Sequence, residues 1–140
     1  MAERIRHEPT EPLNDGAVGL RVIRTIGRRS RRWHDTPIGV LRLRGRSYAV
    51  CPDARRDWAR NLAHDSRCTL AAGGQDWPAV AVPASGTAAV QAVRGYLAAA
   101  VPWAVAAFPV RSTTPDDVIR AHLPQMAVFE LRSDDGSWLR

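Results

Sequence analysis

Between Val18 and Cys51 the chain carries apolar–polar alternation in successive stretches separated by short turns, and this constrains the fold more than any other feature. From Val18 to Ile26 apolar residues alternate in a roughly two-residue period with Gly19, Arg21 and Arg24, as in a strand with one buried face. The basic turn Gly27-Arg28-Arg29-Ser30-Arg31-Arg32 interrupts the pattern, and a second strand is expected over residues 36–44. Gly45 makes a tight connection to a third strand at 47–51, so these two read as a hairpin. Neighbouring strands linked this closely favour antiparallel pairing.

The period then changes. Asp53 suits an N-cap, and Trp58, Leu62 and Ala63 recur at helical spacing, predicting a helix over 54–64 that buries Trp58 and Leu62. Residues 66–72 and 77–84 return to strand around the turn Gly73-Gly74. The alanine-rich stretch 87–100 is the clearest helix, stopping or kinking at Pro102. A shorter helix is expected at 115–121, with Thr114 as its cap and Asp116 and Asp117 in its first turn, before a last strand at 126–131. Residues 1–16 contain Pro9 and Pro12, lack periodicity and read as a flexible arm; 134–140 read as a polar tail, leaving one domain at 17–133. The expected architecture is β-rich α+β, with about six mostly antiparallel strands closing into a barrel flanked by two to three helices.

A chain of 140 residues buries roughly two-thirds of the surface exposed when unfolded, enough for one core. Its net charge is +6, and all 20 basic residues are arginine. Arginine offers a planar fork of donors matched to phosphate or carboxylate, and a net positive field favours anionic partners. The plainer reading is a solvated basic surface. The arginines are not interleaved with aromatics and no recognition motif appears, so nucleic acid is not an expected partner. Cys51 and Cys68 lie in apolar runs and read as buried free thiols. The four histidines are scattered without metal-ligand spacing, so no metal is expected. The apolar run 95–110 is shorter than the ~18 residues that span a bilayer and contains Pro102. The first residues lack the order of a signal peptide. A cytoplasmic protein with no membrane span is expected, as monomer or homodimer.

Several residues are candidates for chemistry. The turn 27–32 combines guanidinium forks, a hydroxyl and a flexible backbone that together cradle an anion; as a hairpin loop it is equally a solvated basic tip. His34-Asp35 reads either as an acid–base pair beside a pocket or as a surface pair. His122, near Arg120 and Asp117, is an acid–base candidate if it faces the barrel mouth, whereas His64 suits the end of a helix. Tyr96 reads as core. The tryptophans read first as packing, although Trp58 and Trp103 are candidates for substrate contact, Trp103 as the roof of a hydrophobic pocket behind Pro102.

One set of spacings is more specific. Thr25-Ile26-Gly27-Arg28-Arg29-Ser30, then Thr36-Pro37-Ile38, the hairpin 42–51, Trp58 and Asn61-Leu62 resemble the deazaflavin-dependent nitroreductase family, a branch of the split β-barrel flavin-reductase superfamily. Arg120-x-x-x-Pro124 followed by a strand looks like the family's closing feature, and the resemblance covers about residues 18–132. It implies coenzyme F-420, a deazaflavin, with Arg28, Arg29 and Ser30 holding its phosphate and acidic tail. Thr36 and Pro37 would line the ring pocket, and Asn61 would sit at the cofactor-side end of the helix. The implied chemistry is hydride transfer to a hydrophobic conjugated substrate of quinone, enone or nitroaromatic type, with the protein orienting the partners and supplying a proton donor.

The chain departs from that pattern at definite points. Arg31 stands where the family carries glycine, a position that disfavours a side chain if its φ is positive. The loop after the third strand is short and brings Asp53 where a cation is expected, with Arg55 and Arg56 beside it. Ala59 replaces a second aromatic, and the tyrosine-rich approach to the last strand is absent. These departures motivate a second expectation: a cofactor-free member catalysing cyclisation, isomerisation or hydrolysis of a biosynthetic intermediate, with His34, Asp35 or His122 as acid–base groups.

Overall fold

The computed structural model describes residues 1–8 and 13–133. Six strands, β1 (Val18–Ile26), β2 (Trp33–Leu43), β3 (Arg46–Cys51), β4 (Arg67–Ala72), β5 (Gln75–Pro83) and β6 (Ala127–Ser133), form a closed barrel in the order β1-β2-β3-β6-β5-β4. Every neighbouring pair is antiparallel. The predicted six-stranded barrel with flanking helices is therefore the fold. The tail 134–140 lies outside the described residues except that β6 runs on to Ser133.

Strand alternation separates two cores. Facing inward are Ile38 and Val40, Ala49 and Cys51, Cys68 and Leu70, Ala79 and Ala81, and Phe129 and Leu131, spaced by two as a pleated strand requires. Helix α2 (Asp57–His64) closes one end with Trp58, Ala59 and Leu62. The second core lies outside the barrel wall. There Leu41, Tyr48, Val50 and Val128 meet Ala89, Val90, Val93 and Tyr96 of α3 (Gly86–Ala99), with Ile119 of α5 (Asp116–His122). Helix α4 (Pro102–Val105) is a single turn begun by Pro102, a residue suited to a first helical position.

Several boundaries differ from expectation, each for a local reason. Ala2–His7, part of the expected arm, forms helix α1. Its carbonyls at Ile5 and Arg6 accept from Gly73 and Gly74 in the β4–β5 turn, contacts that sequence periodicity does not report. With α1 and the short α4 the helices among the described residues number five rather than two or three. Strand β2 begins at Trp33, three residues early, because Ile26 and Trp33 already pair across the basic turn. Asp53 does not cap α2: its Oδ1 accepts from the Arg55 backbone N–H at 2.9 Å, and the N-cap is Arg56. Thr114 Oγ1 likewise accepts from the Arg111 N–H at 2.8 Å, and Pro115 is the N-cap of α5.

Candidate functional site

The basic turn is built by its backbone. Gly27 N–H donates to Arg32 O at 2.8 Å and Arg31 N–H to Gly27 O at 2.9 Å, which forces Arg31 to a φ of 59°. This is the left-handed conformation for which glycine is the usual residue, so the departure at Arg31 falls where its conformational cost is real. Gly27 itself is needed for space: a Cβ there would lie 2.6 Å from His34 Nε2 and nearer still to Ser30 Oγ.

Side chains from three elements converge on the turn. Arg28 donates to Asn61 Oδ1 from its backbone N–H at 3.2 Å and from Nη1 at 2.9 Å, and pairs with Asp57 at 3.3 Å. Asn61, buried on α2, donates from Nδ2 to Thr25 Oγ1 at 3.3 Å. Ser30 Oγ and His34 Nε2 share a hydrogen bond of 2.9 Å, and Ser30 Oγ also accepts from the Arg32 N–H. Among the described residues the Arg29 guanidinium has no partner, and neither do the backbone N–H groups of Arg29 and Ser30. Consecutive free N–H groups beside an uncommitted guanidinium make an anion-binding concavity. They border a polar cavity of about 410 Å³, bounded also by Arg28, His34, Thr36, Trp58 and Asn61 and by two carboxylates, Asp57 paired with Arg28 and Asp35 paired with Arg24 and Arg6.

A second, apolar cavity of about 480 Å³ adjoins it, and Thr36 and Trp58 line both. Its walls include Pro37, Gly39, Val50 and Phe108, with Ala99, Ala100, Ala104 and Ala107 on the α3–α4 side. Trp103 lines it as the roof position suggested, with most of its surface still exposed. Tyr96 also lines it, although the sequence marked this residue only as core. Its ring lies 5.4 Å from that of Phe108, and its hydroxyl has no hydrogen bond among the described residues. Burial pushes the Tyr96 phenol up from its ordinary pKa, with the nearby Arg56 charge acting in the opposite direction, so the hydroxyl is a proton-bearing donor at neutral pH. Arg56 lines the same cavity, exposed and, among the described residues, without an ion pair. Neither residue stood out by spacing; Tyr96 was findable only as a lone polar atom on an otherwise apolar helix face.

The predicted site residues thus divide. Arg28, Arg29, Ser30, His34, Asp35, Thr36, Pro37, Trp58, Asn61 and Trp103 border these two cavities. His34 and Asp35 both line the polar one but are not bonded to each other: His34 Nε2 meets Ser30 Oγ. The Asp35 carboxylate is held by Arg24 at 2.7 Å and Arg6 at 3.4 Å. His122 lies on α5, half-buried, with Nδ1 2.9 Å from Val118 O, and borders neither cavity. Asp53, the misplaced negative charge of the short loop, is neutralised locally. Two bonds from Arg55 hold its carboxyl down to a pKa of about 2. Among the described residues no group of three histidines, cysteines or carboxylates could hold a metal ion, and no helix is long and apolar enough to cross a membrane.

No family model and no curated protein matches the chain. Solved structures do. A conserved hypothetical protein, Rv2991 from Mycobacterium tuberculosis, aligns over 91% of this chain and 85% of its own at 11% identity, with a TM-score of 0.55. Another solved chain aligns over 89% of this chain and 82% of its own at 18% identity and a TM-score of 0.53. The protein Atu2129 from Agrobacterium tumefaciens, of unknown function, is 19% identical over 85% of this chain and 50% of its own, with a TM-score of 0.49. At these identities the first two similarities speak to the barrel fold alone.

Proposed function

We propose that the protein is a deazaflavin-dependent oxidoreductase that reduces a hydrophobic conjugated substrate. The observation that carries the reading is the meeting of a polar cavity, which holds the uncommitted Arg29 guanidinium and free N–H groups, with an apolar one across Thr36 and Trp58. A planar cofactor with an anionic tail has those two halves. The fit is selective. Arg28 and Ser30 are engaged within the protein, so Arg29 and the free N–H groups of Arg29 and Ser30 would hold the anionic end. Thr36, Pro37 and Trp58 would flank the ring, and Asn61 acts at one remove by fixing Arg28. When bound, the reduced deazaflavin supplies a hydride. The apolar walls exclude water from the reacting atoms, which strengthens every polar contact inside. Titrating the purified protein with coenzyme F-420 and following the cofactor's fluorescence tests this. Saturable binding, weakened about tenfold by Arg29→Ser through loss of a charge-assisted bond, is expected; no binding at high micromolar coenzyme overturns it.

A second reading is favoured by the internal engagement of Arg28 and Ser30 and by Arg31 in the glycine position. In that reading the apolar cavity carries out a cofactor-free cyclisation, isomerisation or hydrolysis. Turnover of a pathway intermediate by protein stripped of all cofactor would favour it over the reductase.

A further inference from the structure

The apolar cavity has one polar end. Tyr96, 7% exposed, carries a hydroxyl with no protein partner among the described residues and lines the cavity. The ring is buried but the hydroxyl is not sealed off: it opens onto the cavity, where a ligand atom can take the hydrogen bond that water would otherwise accept. Gly39 sits directly beneath it: a Cβ added there would lie 3.1 Å from the Tyr96 oxygen. The hydroxyl is thus bounded on the barrel side by bare backbone and is approached from the cavity. Arg56, at the N-cap of α2, lines the same space near enough for its charge to act on the Tyr96 phenol, and among the described residues it makes no salt bridge, Asp53 being bonded to Arg55. The other titratable group near Tyr96 is the Cys51 thiol, itself buried and kept protonated by that burial. Elsewhere the lining is mainly alanine, valine, proline and aromatic carbon.

We propose that Tyr96 and Arg56 form an oxygen-recognition end in this cavity, selecting flat hydrophobic ligands that carry a phenolic or enolic oxygen. The neutral tyrosine donates a hydrogen bond to that oxygen, and the guanidinium offsets negative charge on it. Both groups are pure attractors of an oxyanion, whereas an ether at the same place offers no charge and a weaker acceptor. The inference rests on reading the apolar cavity as the substrate chamber, but not on any cofactor.

The experiment is a cofactor-free fluorescence titration of the full chain with 7-hydroxycoumarin and, as control, 7-methoxycoumarin, at a pH where the phenol is largely ionised and tyrosine is not. Wild type binds the hydroxy compound about tenfold more tightly than the methoxy compound, as one charge-assisted bond allows. Tyr96→Phe and, on the exposed surface, Arg56→Gln each remove most of that preference and leave methoxycoumarin affinity unchanged. Equal binding of the two coumarins by wild type, or an unaltered preference in both variants, overturns the proposal. Selective coumarin binding by a protein that fails to bind the deazaflavin would sink the reductase and leave this recognition end standing.

Discussion

Arg28 and Asn61 are joined twice at a single atom: both the backbone N–H and the guanidinium of Arg28 donate to Asn61 Oδ1, at 3.2 and 2.9 Å. Asn61 is buried, and its Nδ2 continues the chain of bonds to Thr25, which is fully buried. The basic turn is thereby tied to α2 and to β1 through one carboxamide. Asn61→Ala strands the Arg28 N–H and the Thr25 hydroxyl together, and a loss of about 2–3 kcal/mol is expected. Urea denaturation followed by tryptophan fluorescence measures it; a loss below about 0.5 kcal/mol would show that the turn holds itself.

Arg31 adopts a φ of 59° and pairs only with Asp65, which keeps a second partner in Arg67. A non-glycine residue in this region costs on the order of 1–2 kcal/mol, more than an exposed ion pair returns. Arg31→Gly is therefore expected to raise stability by about 1 kcal/mol, visible as a higher Tm, while Arg31→Val lowers it.

Gly27→Ala puts a methyl group against Ser30 and His34. The two exposed side chains have to swing aside, breaking the 2.9 Å Ser30–His34 bond, with an expected cost of about 1 kcal/mol. The His34 ring resonances in an NMR spectrum report that break directly; unchanged resonances would contradict the crowding.

Asp53 has its folded-state pKa depressed to about 2 by Arg55. A depressed carboxylate contributes stability above its unfolded pKa and loses it as pH falls toward the folded value. The wild-type advantage over Asp53→Asn in Tm is expected to be full near pH 5, to shrink as pH falls through about 2 and to vanish below it. An advantage that persisted at the lowest pH would mean the Arg55 contact is not electrostatic.

Cys51 and Cys68 are both buried, and burial raises the Cys51 thiol pKa. Thiolate is the reactive form, so neither should react with Ellman's reagent in native protein. Both should do so in denaturant; rapid native labelling would place a thiol at the surface.

The barrel was legible because its strands announce themselves by a two-residue period: Ile38 and Val40 face inward while Leu41 faces α3. Elements held by backbone rather than by an apolar face were not. Helix α1 buries no residue and is tied by Gly73 and Gly74 donating to its carbonyls. The first residues of β2, Trp33 to Asp35, are all exposed and are strand only because β1 lies beside them. At the candidate site, the turn was marked by its basic composition and Asn61 by the family resemblance alone, and both border the polar cavity. Asp35 lines the polar cavity beside His34 but is held by Arg24 and Arg6, partners far away in sequence that no local pattern announces. Tyr96 became a site residue only in three dimensions. The alanines of the following turn, too small to cover its hydroxyl, leave the space that makes it accessible, and a string of small residues does not say which gaps remain unfilled.

Strand β6 has a consequence for how the molecule is assembled. It is the stave between β3 and β5, pairing Ser47 with Leu131 on one side and Ala81 with the same Leu131 on the other. The hairpins β1–β2–β3 and β4–β5 can form as they are synthesised. The wall stays open until β6 arrives from far along the chain, and such non-local pairing is slow. Without β6, the strand order leaves β3 and β5 each with an unpaired edge. Unpaired edges of that kind are where chains join one another, so β6 is the strand whose pairing closes the barrel against such joining.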